Sequence, residues 1–328
     1  MRILILGGTV FVGRALTDGA LARGHDVAHF NRGKSAPPDP RVRTIQGDRT
    51  DRASLSRAAA EGPWDAVLDV AGYMPQVVRL AAEAFAGVPR YAFVSTVSVY
   101  RDFPAGGFDE DSPLHDPPSP LPEAMDAALY GPLKAGCEAV VREAFGDRAL
   151  IVRPGLIVGP HDPTDRFTYW PVRVARGGAV LAPGRPERRV QLIDVRDLAA
   201  FMISLVDAGT FEGGIVNATG PAAPMSMARV LEACREVAGS DASFTWAPDD
   251  FLLAHDVAPW REMPLWIPDS DEAMRGLMRA RLDRPLARGL ALRPIEQTIA
   301  DTLAWARTRP ADREWKAGLN EARERELL

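Results

Sequence analysis

Cysteine is scarce: Cys137 and Cys234 are the only 2 in 328 residues. The two thiols lie far apart in the sequence. Both fall in helical patterns, the expectation for structural thiols in a reducing cytoplasm. Histidine is also sparse, at 5 residues, and His25, His115 and His255 show no spacing that would assemble a metal site. Long apolar runs are missing. The first such run, residues 3–6, is too short for a signal core or a bilayer span, so a cytoplasmic chain with no membrane partner is expected. Nor does charge of one sign prevail: 39 Lys+Arg against 44 Asp+Glu leave a net −5. With acids and bases interspersed, no nucleic-acid partner is expected. No repeat or low-complexity stretch stands out. The length allows one sizeable core and a second lobe.

What the chain does have begins at its first residues. A strand over 2–6 runs into Gly7-Gly8-Thr9-Val10-Phe11-Val12-Gly13, a helix over 14–23 and a second strand over 26–30. Glycines let the backbone turn tightly against a pyrophosphate, and the helix start offers free N–H groups and a favourable dipole. Strand, turn, helix and strand in this order predict a dinucleotide site. Strands over 42–46, 66–70, 91–95 and 149–152 then alternate with helices over 51–60, 76–85 and 130–145. That rhythm predicts an α/β fold, a Rossmann-type doubly wound parallel sheet with a smaller C-terminal substrate-binding lobe.

We assign residues 1–160 to the dinucleotide domain, with 194–218 returning to it, and 161–328 mainly to the second lobe and C-terminal helices. In that half, helices are expected over 169–176, 194–206 with Asp194 as N-cap, 225–237, 294–307 and 313–327, and strands over 190–193 and 215–218. Trp246, Trp260 and Trp266 mark an apolar region of packing or pocket wall. The segment 101–126, rich in proline and acid, is too long for a plain connector; it reads as a substrate cover or a loose insertion.

Tyr130 and Lys134 stand four apart, so they share one helix face. Pro132 is tolerated only in a first turn, which places Tyr130 at the helix start. A phenol beside an ammonium has its anion stabilised, which predicts a pKa below its usual value of about 10. Tyr130 is then a general acid/base for an alcohol–carbonyl couple.

With Gly7-Gly8-Thr9…Gly13, Asp48, Ala71-Gly72, Ser95-Thr96…Val99-Tyr100, Arg153-Pro154-Gly155…Gly159-Pro160 and Asp194-Val195-Arg196-Asp197-Leu198-Ala199, this helix completes an ordered motif set. From Met1 to about Ala200 the chain resembles the extended short-chain dehydrogenase/reductase family, of the NAD-dependent epimerase/dehydratase kind. The resemblance implies that Thr96 bonds the reacting oxygen, Tyr130 moves the proton, and Lys134 tunes it and holds the nicotinamide ribose. It implies that Gly7, Thr9, Phe11, Val12 and Gly13 line the pyrophosphate, Asp48 meets the adenine, Ala71 and Gly72 let the cofactor approach, and Pro154 lies beside the nicotinamide. It also implies a monomer or a homodimer paired through the helices that follow Ser56 and Tyr130.

An acid at the end of the second strand would bond a ribose 2′-hydroxyl and repel a 2′-phosphate. Here Asn31 and Arg32 stand there with Lys34, so NADP is expected over NAD. Three departures narrow the substrate. Val10 replaces the middle glycine. Val97 and Ser98 replace the Asp-Glu pair of 4,6-dehydratases, which argues against that reaction. Val190 replaces the arginine that grips a nucleotide-sugar diphosphate, with Arg188 and Arg189 one or two positions off. His161, Asp162, Asp165 and Arg166 follow in a loop expected to border the pocket.

The expected function is NAD(P)-dependent hydride transfer between a secondary alcohol and a ketone on a small polar, sugar-like or natural-product substrate. The alternatives are an epimerase that retains its cofactor and a non-catalytic nucleotide- or RNA-binding relative.

Overall fold

β1 (Arg2–Leu6) is buried over its last four residues, as a strand with neighbours on both edges and helices on both faces must be. The structure, a computed structural model, describes residues 1–328. After β1 come α1 (Phe11–Ala22), β2 (Asp26–Asn31), β3 (Arg43–Gln46), α2 (Arg52–Ala60), β4 (Ala66–Asp69) and α3 (Pro75–Ala84). Then follow β5 (Tyr91–Val94), α4 (Tyr130–Phe145), β6 (Ala149–Pro154), β7 (Leu156–Val158), α5 (Tyr169–Ala175), β8 (Ala179–Pro183), β9 (Arg189–Val190) and β10 (Leu192–Asp194). The chain continues through α6 (Val195–Val206), β11 (Gly214–Ala218), β12 (Met225–Ser226), α7 (Met227–Ala238) and β13 (Ser243–Ala247). It closes with α8 (Asp249–Ala254), α9 (Asp283–Ala287), α10 (Ile295–Ala306) and α11 (Glu321–Leu327).

Seven strands pair in the order β11-β6-β5-β4-β1-β2-β3, all parallel. The order reverses between β1 and β4, which opens a crevice at the carboxyl ends of those strands. Alternation along β1 sets the two faces. Ile3 and Ile5 pack with Leu16 of α1 and Leu198 of α6. Leu4 and Leu6 pack with Leu55 of α2, Val78 of α3 and Val141 of α4. The doubly wound sheet expected from the sequence is therefore the observed one.

A second core lies in the C-terminal half, where β8 and β13 pair in parallel against α5, α7 and α10, with Trp170 and Trp266 fully buried. No helix is long and apolar enough to cross a membrane.

Four local expectations change. The first helix begins at Phe11 rather than Arg14, behind Val10, an extended N-cap without a polar side chain. The strand expected over 190–193 is split, because Gln191 turns inward to bond Ala280 in both directions, at 2.8 and 3.1 Å. Of the helix expected over 313–327 only α11 forms: Gly318 takes a φ of 104° and the Lys316 amide is drawn to Asp165 at 3.1 Å. The segment 101–126 is no loose insertion, since Phe103 and Phe108 are buried against Tyr100, Ala280 and Leu282.

Candidate functional site

The glycine turn leaves β1 with φ of 120° at Gly7 and 98° at Gly8, a region that favours residues without a Cβ. A Cβ on Gly13 would lie 2.6 Å from the Gly8 backbone, so the first turn of α1 rests on the glycines. Val10 offers that turn no side-chain acceptor, and no acid stands within it. The exposed donors and dipole of the helix start thus have no competing carboxylate, and the cradle fits a dinucleotide pyrophosphate. Val10 is 41% exposed, while Phe11 and Val12 pack toward the core beneath α1. Thr9 lies half-buried beside them.

Under the turn sits His29, which the sequence did not single out. A Cβ on Gly8 would come within 2.4 Å of its ring. Thr17 donates its hydroxyl to the Gly13 carbonyl at 2.8 Å, so the 2.7 Å contact from His29 Nε2 to Thr17 Oγ1 has the imidazole as donor. Burial keeps this histidine below its usual pKa.

Asn31 donates to the Gly7 carbonyl at 3.2 Å and accepts from the Gly33 amide at 2.8 Å. It thereby shapes the end of β2 and leaves Arg32 exposed. Asp48 accepts from the Thr50 amide and hydroxyl at 2.9 and 2.8 Å. These bonds hold its carboxyl below the usual range, and the charges of Arg32 and Lys34 add to the effect. The three cofactor-side candidates thus gather where β2 and β3 end.

At the end of β4, Asp69 is fully buried and receives both guanidinium nitrogens of Arg49 at 2.8 Å, the Tyr91 hydroxyl at 2.9 Å and the Ala71 amide at 3.1 Å. This fork ties the β3 loop to the segment carrying Ala71 and Gly72. A Cβ on Gly72 would meet the Phe93 ring at 2.5 Å.

Thr96 caps a short turn after β5, accepting from the Ser98 amide at 3.1 Å. Ser95 faces away and donates to Glu138 at 2.6 Å. Tyr130 opens α4, and burial first, then Tyr73, push its phenol up to about 12; the Thr96 hydroxyl and the charge of Arg166 oppose that rise. The fall expected from Lys134 is not what the structure has. The Lys134 ammonium is itself buried and donates to the carbonyls of Gly72 and Val94 at 2.7 Å each, with the Phe93 ring 4.1 Å away. Burial lowers it to about 8. Pro154 is buried at the end of β6, paired with Ala218.

The lowered lysine has a measurable consequence. Between about pH 8 and about 10.5 the unfolded chain holds a proton that the folded chain has released, so unfolding free energy rises with pH there through this group. Urea titrations at about pH 7.5 and about pH 10 should show wild type gaining stability relative to Lys134→Met. Parallel pH profiles would contradict the burial of the ammonium.

Behind these residues runs a buried chain of polar groups that the sequence reading missed. Arg153 gives Glu138 two bonds, at 2.9 and 2.6 Å, and a third to the Tyr100 hydroxyl at 3.0 Å. Tyr100 donates to Asn217 at 2.7 Å. The available signal was Glu138 itself, a charge on the same buried stripe as Cys137 and Val141.

In the C-terminal lobe Val190 is buried. Arg188 is committed to Asp249 at 2.7 and 2.8 Å. Arg189 finds only the Ala222 carbonyl, at 3.1 Å; burial, and then Arg279 beside it, lower its pKa. The His161 ring lies against Trp305, tilted at 55° with centroids 5.4 Å apart.

Known proteins resemble this chain in sequence and in fold. The family model described as "NAD dependent epimerase/dehydratase family" matches residues 3–79 and 73–218. The bovine (Bos taurus) "Epimerase family protein SDR39U1" is 28% identical over 258 residues, covering 74% of this chain and 82% of that protein. The dTDP-6-deoxy-L-talose 4-dehydrogenase (NAD(P)(+)) of Kitasatospora kifunensis is 33% identical over 181 residues, 49% of this chain; the chain spans about half of that relative's length, 54%. Among solved structures, the UDP-glucose 4-epimerase of Thermus thermophilus in complex with NAD superposes with a TM-score of 0.63 at 20% identity, over 94% of this chain and 100% of that one.

Proposed function

Because this chain belongs to the NAD dependent epimerase/dehydratase family, of NAD(P)-dependent dehydrogenases, reductases and epimerases, we propose that it reduces a ketone on a small, sugar-like substrate with NADP as its cofactor. The observation that supports this reading is the Thr96 hydroxyl opposing the rise of the Tyr130 phenol, with Lys134 one turn further along α4 anchored just past β4 and at the end of β5. A bound nicotinamide nucleotide supplies the hydride. Thr96 donates to the substrate oxygen, and Tyr130 gives it a proton. The Tyr130 phenol, which burial pushes up, is protonated at neutral pH and can donate to a developing alkoxide. Lys134, anchored on Gly72 and Val94, positions the backbone on both sides of the reacting centre. The name of the Kitasatospora relative supports a sugar-like substrate.

Reaction and cofactor are tested separately. Consumption of NADPH in the presence of a panel of keto sugars would establish reduction. Bound cofactor without turnover of any of them, or cofactor-neutral interconversion of sugars, would reject it. For the cofactor, Arg32 and Lys34 supply cations where an acid would exclude the 2′-phosphate. Fluorescence titration should find NADPH at least about tenfold tighter than NADH. Arg32→Ala should erase most of that gap while leaving NADH affinity unchanged. Equal affinities in the wild type would end the NADP assignment.

A further inference from the structure

The loop 159–168 between β7 and α5 is built on two inward-turned acids. Asp162 accepts the amide and hydroxyl of Thr164, both at 2.8 Å. Asp165 is fully buried with a φ of 63°. It is gripped by Arg309 at 2.8 Å, Arg313 at 3.4 Å and the Lys316 amide at 3.1 Å. A left-handed aspartate fixed this way determines how the next residue leaves the backbone. That residue, Arg166, is exposed and its guanidinium lies over the Trp260 ring, 5.8 Å from the centroid. Trp260 also takes a positive φ, 62°. Arg166 makes one hydrogen bond, through its backbone amide to Thr164; its guanidinium has neither a carboxylate nor a carbonyl partner.

We infer that Arg166, steadied on Trp260, is a specificity-determining residue that binds an anionic oxygen group of the substrate, a carboxylate or a phosphate. The Trp260 ring lies to one side of the guanidinium, whose N–H groups are free for two parallel bonds. Two left-handed residues and a buried ion pair are more structure than a solvated surface arginine requires. The charge also reaches the catalytic centre, since it opposes the rise of the Tyr130 phenol.

The inference rests on the proposed function for the word substrate, but its test does not. Malonate and inorganic phosphate serve as separate probes, titrated calorimetrically into the NADPH-saturated full chain as wild type, Arg166→Met and Arg166→Lys. Wild type should bind one of the two, and which one distinguishes the carboxylate from the phosphate. Arg166→Met should bind it at least about tenfold more weakly and Arg166→Lys by an intermediate amount, with NADPH affinity unchanged in all three. Matched ketones with and without the preferred anion extend the test: Arg166→Met should lose kcat/KM for the charged member alone. Equal anion affinity in wild type and Arg166→Met overturns the inference, as does binding of neither probe. Loss of turnover on every ketone in the wild type would instead overturn the reductase reading and leave the anion comparison to decide Arg166.

Discussion

Tyr130→Phe should lower kcat by at least about a hundredfold and leave NADPH binding and folding stability nearly unchanged. A positioned acid/base contributes roughly 10²–10⁴ in rate, and the substitution removes a single oxygen from a side chain that opens α4 at the sheet edge. The phenylalanine keeps the ring and its contacts, so a loss in kcat separates proton transfer from packing. Stopped-flow measurement of cofactor oxidation reads the effect directly. A variant within about threefold of wild type would remove Tyr130 from the chemistry and leave only the fold assignment. The proton it delivers is held by burial, which places the phenol at about 12. A reduction rate that declines only well above neutral pH is the corresponding profile.

The second large effect concerns a residue that touches no ligand. Glu138→Ala should destabilise the protein by about 3–5 kcal/mol, the cost of leaving a buried partner charge uncompensated. Glu138 and Arg153 expose 0% and 1% of their surface, so no water replaces the lost carboxylate. Replacing both together, Glu138→Leu with Arg153→Met, should recover most of the loss, because two hydrophobic residues of similar volume carry no buried charge. Urea unfolding of the three variants checks both statements. A single variant as stable as wild type would mean that Arg153 had found another partner. The pair also bears on the site. Ser95 donates to Glu138 and immediately precedes Thr96, so the single variant should loosen the Thr96 turn.

Most of the nucleotide half could be read from the sequence because its signals are local. Short apolar runs, glycines and a helical Tyr–Lys pair act within a few residues, and parallel pairing follows from strand–helix alternation. What could not be read depends on distant partners. β8 ends in proline and pairs with β13 about sixty residues later, so neither strand has a local signature. Arg49 and Asp69 look like ordinary loop and strand-end charges until the fold brings them into a two-bond fork. The helical pattern over 313–327 was real as propensity. Tertiary bonding overrode it, since an amide given to Asp165 and a left-handed Gly318 are incompatible with a continuing helix. The Tyr130 pKa failed for a related reason: burial raises the phenol, and the ammonium that spacing placed on the same face is held by two backbone carbonyls.

The grip on Asp165 spans up to 151 residues of chain, to Lys316. On the ribosome, everything through β11 emerges well before Arg309 and Arg313. Domains tend to fold as units from the N-terminal end during synthesis. A nascent chain would therefore acquire its nucleotide cradle first, and its loop 159–168 would set only once the segment around Arg309–Lys316 had been made. Occupation of the early-formed half by an abundant nucleotide would then stabilise an otherwise incomplete polypeptide during translation.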